Sequence, residues 1–166
     1  MINNLSDLII TINNNYNNST ELITIKDIIN KYNGNDWRNY VIISDDLDKN
    51  YIKNLVYENN NYELFIISWM INKESTIHDH ATNGCIFKIL NGKIIEERYD
   101  KETLDIIKTN IYNIGDISYI NNNMNLLHKI INNNNISVSL HIYSPPRYKI
   151  NSFNNFLKKP IIPSII

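Results

Sequence analysis

The stretch Cys85-Ile-Phe-Lys-Ile-Leu-Asn91-Gly92-Lys93-Ile-Ile-Glu-Glu-Arg-Tyr99 decides how this chain is read. Two short apolar runs, Cys85–Leu90 and Lys93–Tyr99, flank an Asn-Gly pair, the strongest short-range hairpin signal. Runs of the same kind recur on either side: Tyr62–Met70, Leu104–Ile111, Asp116–Ile120, His128–Ile131 and Ser137–Tyr143, each set off by turn residues. Short strands joined by tight turns predict an antiparallel barrel or sandwich. Before about Val41 the pattern is helical. Leu5, Leu8, Ile9 and Ile12 fall at near-helical spacing. A second helix is expected from an N-cap at Thr24, with Asp27 three residues on, through Ile28, Ile29 and Tyr32 to a stop at Gly34. A third helical segment is expected around residues 36–40. Helices first and strands after make a mainly β, α+β chain.

At 166 residues the chain suits one domain with a sizeable core. Its 16 basic and 17 acidic side chains are interspersed, so neither a nucleic-acid stripe nor an acidic arm is expected. Asn and Ile make up roughly two-fifths of the residues, far above ordinary usage. Runs such as Asn13-Asn14-Asn15 and Asn121-Asn122-Asn123 fit an AT-rich coding sequence and are too short for a prion-like tract. The single cysteine, Cys85, excludes an intrachain disulfide and fits a reducing compartment. With no signal-peptide pattern and no apolar run near the roughly 18–20 residues of a membrane span, a cytoplasmic protein is expected.

Two of the four histidines stand two residues apart, at His78-Asp79-His80. In an extended segment, residues i and i+2 leave the same face, so the two imidazoles converge on one point. Such a pair suits a transition metal, although the same spacing also serves ordinary histidines. Asp79 is then expected on the opposite face. The other two are His128 and His141. In the run Ser139-Leu-His-Ile-Tyr143, alternation places Ser139, His141 and Tyr143 on one face, either lining a polar pocket or facing solvent.

Read together, these segments resemble the cysteine dioxygenases of the cupin superfamily. The resemblance rests on Ser75-Thr-Ile-His78-Asp-His80, on Cys85, and on Lys88-Ile-Leu-Asn-Gly92. It continues through Tyr119-Ile-Asn, Leu127-His128 and Ser139-Leu-His-Ile-Tyr-Ser-Pro-Pro146. It reaches back through Trp69 to Tyr51-Ile-Lys53-Asn-Leu-Val56 and the N-terminal helices, and so covers nearly the whole chain. It implies a single cupin (jelly-roll) barrel over residues 1–166. Residues 1–40 would form a helical cap, 41–150 the barrel, and 151–166 a tail shorter than is usual.

The family pattern implies Fe(II) on His78, His80 and His128, with no carboxylate ligand because Cys85 stands where most cupins have one. It implies a thioether between Cys85 and Tyr143, a catalytic hydroxyl on Tyr143, and His141 orienting that hydroxyl, with Ser139 continuing the network. Trp69 matches a family tryptophan, and Ser144–Pro145 is a candidate cis peptide. Tyr51 and Lys53 fall at the substrate-carboxylate position, where Lys53 replaces the family's arginine. A two-pronged guanidinium grip thereby becomes a point charge. Arg147 is read as an exposed arginine. The implied reaction converts L-cysteine and O2 to cysteine sulfinate in a monomer with no nucleic-acid or membrane partner. Lys53 keeps open another small thiol such as 3-mercaptopropionate, and a cupin that binds metal without turnover is the rival of a different class. A three-histidine zinc hydrolase would share the ligands and nothing else.

Overall fold

A computed structural model describes residues 1–133 and 135–153. Helix α1 (Leu5–Asn15) starts at Asn4, whose side chain accepts the Asp7 backbone N–H at 2.8 Å, the usual way an N-cap satisfies an orphan donor. The expected cap at Thr24 does not form. A tight turn, Leu22–Ile25, buries both its end residues and leads into α2 (Lys26–Lys31), while the Thr24 hydroxyl donates back to the Glu21 carbonyl. The third helical segment is a 3-10 turn, Asp36–Tyr40.

The strands are β1 (Tyr51–Glu58), β2 (Glu63–Trp69), β3 (Lys73–Glu74), β4 (Ile77–His78), β5 (Gly84–Asn91) and β6 (Lys93–Asp100). They continue as β7 (Ile106–Asn113), β8 (Ile117–Ile120), β9 (Leu126–Asn132), β10 (Ser137–Ser144) and β11 (Ser152–Phe153). Among the described residues they form two antiparallel sheets, ordered β1-β2-β10-β5-β8 and β11-β4-β9-β6-β7, with β3 also paired to β9. The expected tail opens with β11; residues 154–166 lie outside the described residues.

The strands on either side of Asn91-Gly92 form where expected, but they do not pair with each other. β5 is already hydrogen-bonded on both edges, to β10 and to β8, so no edge is left for β6. The Asn-Gly pair instead turns a corner from one sheet to the other. Gly92 has φ +74°, and a Cβ there would fall 2.4 Å from the Ser137 hydroxyl. The strand expected from Leu104 starts two residues later, because Leu104 takes φ +59° in the turn before it.

Both faces of the first sheet are covered. Leu64, Ile66, Ile86, Leu140 and Ile142 pack outward against Leu5, Leu8, Ile12, Leu22 and Ile29 of the helical layer. Ile67, Trp69, Phe87 and Ile89 face inward and meet Ile94 and Ile130 of the second sheet. Among the described residues no helix is long and apolar enough to cross a membrane.

Lys88 ties the helical layer to the barrel. From β5 its ammonium donates to the carbonyls of Ile29, Asn30 and Tyr32 at 3.2, 2.9 and 2.7 Å, at the C-terminal end of α2. The Ile29 carbonyl also accepts from the Tyr32 N–H at 3.1 Å, and all three carbonyls sit at the negative end of the helix. Lys88→Met keeps the stem and removes three charge-assisted donors. It should lower unfolding free energy by about 2–4 kcal/mol, read as a lower denaturant midpoint at unchanged slope.

Candidate metal centre and its surroundings

His78 ends β4, His80 follows it, and His128 lies directly opposite His78 in β9. All three are buried. His78 Nδ1 lies 2.8 Å from the Thr76 carbonyl, which can only accept, so the proton sits on that nitrogen. His128 Nδ1 lies 2.8 Å from Glu96 Oε1 and donates in the same way. In the neutral rings both Nε2 atoms therefore carry lone pairs. They face each other at 3.1 Å, and His80 Nε2 stands 3.0 Å from His128 Nε2.

Lone pairs aimed at one another at hydrogen-bond distance repel unless a proton or a cation lies between them. Protonation is opposed by burial, and then by the charge of neighbouring His128, which together bring the His78 pKa down to about 3. His80 is pushed well below the usual imidazole range, by burial first and then by its two histidine neighbours. A divalent cation fits. Bonds of about 2.1 Å at right angles put two ligand nitrogens about 3.0 Å apart. Asp79 takes no part in this convergence: as expected it faces away, accepting from the backbone and side-chain N–H groups of Asn151.

Ser139, His141 and Tyr143 face the barrel interior, not solvent, and all are buried. Trp69 Nε1 donates to Ser139 Oγ at 2.8 Å, Ser139 Oγ lies 2.9 Å from His141 Nε2, and His141 Nδ1 lies 3.1 Å from the Tyr143 hydroxyl. An indole nitrogen only donates. Ser139 therefore accepts from Trp69, and its own proton can go to His141 Nε2. In that tautomer the remaining imidazole proton is on Nδ1, facing the Tyr143 oxygen at 3.1 Å and the Cys85 sulfur at 3.7 Å, and the phenol proton can turn towards the cavity. Phe87 stacks on the imidazole at 5.0 Å and fixes its plane.

Cys85 stands directly across the strand pair from Tyr143, on the same face. Burial raises its thiol to about 12, opposed by the Lys53 charge. Lys53 is exposed as a whole residue. Its ammonium nonetheless lies over the rings of Phe65 and Tyr143, 4.3 Å from each centroid, and burial at that end lowers its pKa. Among the described residues no carboxylate forms a salt bridge with it. Tyr51 packs on Trp69 with ring centroids 4.9 Å apart. Tyr51, Lys53, Trp69, His78, His128, His141 and Tyr143 share the lining of one cavity of about 20 Å3, to which Ile150 also contributes. Arg147 lies elsewhere, exposed and paired with Glu58. The Ser144–Pro145 peptide is cis. A roomier groove of about 330 Å3, beside Ile43, Leu47, Met70 and Ile71, lies apart from these residues and includes no histidine.

The residue that the motif reading passed over is Glu96. It is fully buried behind His128 and receives hydrogen bonds from Arg98, Ser118, Tyr112 and Asn110. Burial alone raises its pKa, but His128 and Arg98 outweigh that and bring it to about 2. Alternation carried a signal, since Glu96 shares the inward face of β6 with Ile94 and sits two residues from an arginine.

The fold and this convergence of imidazoles define a cupin with a candidate metal centre. Solved structures agree on the fold. A Klebsiella pneumoniae protein with a double-stranded β-helix domain superposes with a TM-score of 0.56 at 15% identity, over 69% of this chain and 86% of that one. A Thermus thermophilus protein, TT1209, gives 0.56 at 11% identity over 68% and 96%. The family model for cysteine dioxygenase type I matches residues 3–156, and the chain belongs to that family. Bovine (Bos taurus) cysteine dioxygenase type 1 is 36% identical over 104 residues, 58% of this chain and 52% of the relative. The Danio rerio protein of the same name is 27% identical over 162 residues, 90% and 79%. The chain spans about half the length of the mammalian relatives it matches.

A pH dependence follows from the buried imidazoles of His78, His80 and His141. Their folded pKa lies below the unfolded value, so between about pH 6.5 and the folded value the unfolded chain binds more protons. Metal-free protein should therefore lose stability as pH falls from about 6.5 towards 3. The slope should approach about 1.4 kcal/mol per pH unit for each such histidine. Denaturant midpoints across that range measure it.

Proposed function

We propose that this chain is a non-haem iron thiol dioxygenase, converting L-cysteine and O2 to cysteine sulfinate. His78, His80 and His128 would hold the iron. The observation that carries this reading is a small cavity lined by His78 and His128, whose Nε2 atoms converge with that of His80, together with the Lys53 ammonium, which has no salt-bridge partner among the described residues, and the Tyr143 phenol. Three neutral ligands leave the cation's charge uncompensated, which favours a substrate arriving as thiolate. Iron, when bound, supplies the redox chemistry that adds both oxygen atoms to sulfur.

The chain's own residues do the rest. Lys53 leaves the ring faces to meet the substrate carboxylate, which also makes room in a cavity that otherwise holds about one water-sized group. Tyr51 and Trp69 wall the substrate. Tyr143 donates its proton to the bound substrate, and the Trp69–Ser139–His141 chain keeps that proton pointed inward. Cys85, opposite Tyr143, is the partner for a thioether that tethers the ring, the thiol S–H and one ring C–H being lost in a two-electron oxidation by O2, the oxidant the reaction already uses. The relatives named cysteine dioxygenase type 1 support the choice of substrate.

Lys53 favours a second reading, a thiol carboxylate such as 3-mercaptopropionate, because one point charge does not demand the two-pronged geometry that arginine imposes. Oxygen uptake and sulfinate formation with cysteine, 3-mercaptopropionate and cysteamine decide between them. Cysteine should be oxidised and cysteamine, lacking a carboxylate, should not. Uptake with 3-mercaptopropionate but none with cysteine would overturn the first reading in favour of the second. Iron-loaded protein that makes no sulfinate from any thiol would overturn both and leave a binding module.

Lys53→Met should raise KM for the preferred thiol by about ten- to a hundredfold, the worth of one charge-assisted hydrogen bond, with a smaller effect on kcat. After turnover, intact mass should fall by two hydrogen atoms in the wild type and stay unchanged in Cys85→Ala.

A further inference from the structure

The three candidate ligands are supported unequally from behind. His80 Nδ1 is buried and finds no hydrogen-bond partner among the described residues. His78 Nδ1 rests on a neutral backbone carbonyl at 2.8 Å. His128 Nδ1 rests on a carboxylate, also at 2.8 Å. Glu96 is held from all sides. Oε1 accepts from His128 and, at 3.1 Å, from Ser118. Oε2 accepts from Arg98 at 2.9 Å, Tyr112 at 3.0 Å and Asn110 at 3.3 Å. Arg98 is itself fixed by the Ser118 hydroxyl and the Tyr119 carbonyl, both at 2.9 Å. So many donors around one buried group require it to be an anion, because a protonated carboxyl would set one donor against another.

We infer that Glu96 is a positioning residue that supplies the metal centre with its missing negative charge, delivered through His128. An imidazole whose N–H is held by a carboxylate is a more basic ligand through its other nitrogen. His128 thereby becomes the strongest of three graded donors, His78 the intermediate and His80 the weakest. A carboxylate in direct contact would occupy a coordination position. One imidazole removed, it contributes charge and leaves that position open. The donors that crowd Oε2 set how much of the charge reaches His128. Each one drawn off by Arg98, Tyr112 or Asn110 weakens the pull on the histidine proton.

This inference rests on the metal-centre reading above, and the test separates the two. Metal-free wild type, Glu96→Gln and Tyr112→Phe would be titrated with Fe(II) and Zn(II) against a competing chelator, with midpoint potentials of the iron forms followed by electron paramagnetic resonance. Glu96→Gln keeps shape and loses charge. It should weaken metal binding by about 10–100-fold and raise the Fe(III)/Fe(II) potential, since the ferric ion loses more. A tenfold difference between the two oxidation states corresponds to about 59 mV. Tyr112→Phe removes one donor from Oε2 and keeps the charge, so its potential should move the opposite way, downward. Opposite shifts are not the signature of a merely structural role.

Unchanged affinity and potential in a folded Glu96→Gln would overturn the inference. Should that variant not fold, an unchanged or raised potential in Tyr112→Phe overturns it. Wild type that binds neither metal would overturn the metal-centre reading itself, and the inference with it.

Discussion

Strand β10 is buried along its whole length between two interiors of opposite character, and the rest of the molecule is arranged around that fact. Because successive side chains point to opposite faces, one segment serves both. Leu140 and Ile142 enter the apolar layer against the helices, while Ser139, His141 and Tyr143 enter the barrel. The N-terminal helices are what permit this. Without them the outer face would meet water, and the strand would need polar residues on that side. The helical layer thus covers the wall from which one half of the candidate site projects. Lys88, on the outer face of β5, holds that layer while its neighbour Phe87, on the inner face, stacks on His141.

Inside the barrel, electrostatics complements packing. Two hydrogen bonds on the far side of their rings, from His78 to a carbonyl and from His128 to a carboxylate, force two lone pairs to confront each other. Such an arrangement costs energy unless a proton or a cation lies between the two nitrogens. It persists because neighbouring groups over-determine it, as preorganised sites generally are. Lys53 is poised similarly, its charge resting on two ring faces in place of a counter-ion, an arrangement an incoming anion improves upon.

Much of this was legible in the residues because it depends on short spacings. His78 and His80, or Ser139, His141 and Tyr143, need only the period of two. Pairing across long distances was not legible. The Asn91-Gly92 turn gave the correct strand ends and the wrong partner, since β5 finds neighbours more than 25 residues away on both edges. Strand β1 escaped the apolar-run reading because it is a half-exposed edge, mixing Lys53 and Asn54 with Ile52 and Leu55. Glu96 was passed over for a related reason. Its meaning depends on His128 and Ser118, residues that only the folded barrel brings to it. Along the sequence only the alternation with Ile94 marked it as inward-facing.

The two-faced strand also constrains how this protein can change over generations. Substitutions within β10 exchange one side chain at a time, but losing a single residue there would reverse every side chain beyond the gap. His141 and Tyr143 would be delivered to the helices, and Leu140 and Ile142 to the cavity. Insertions and deletions should therefore be tolerated best in the Asn-rich connections, such as the exposed residues 122–125, where no inward or outward assignment is at stake. Mutational drift towards Asn could settle in those connections while the alternation of β10 stayed fixed, so the barrel's tolerance for change lies in its seams and not in its walls.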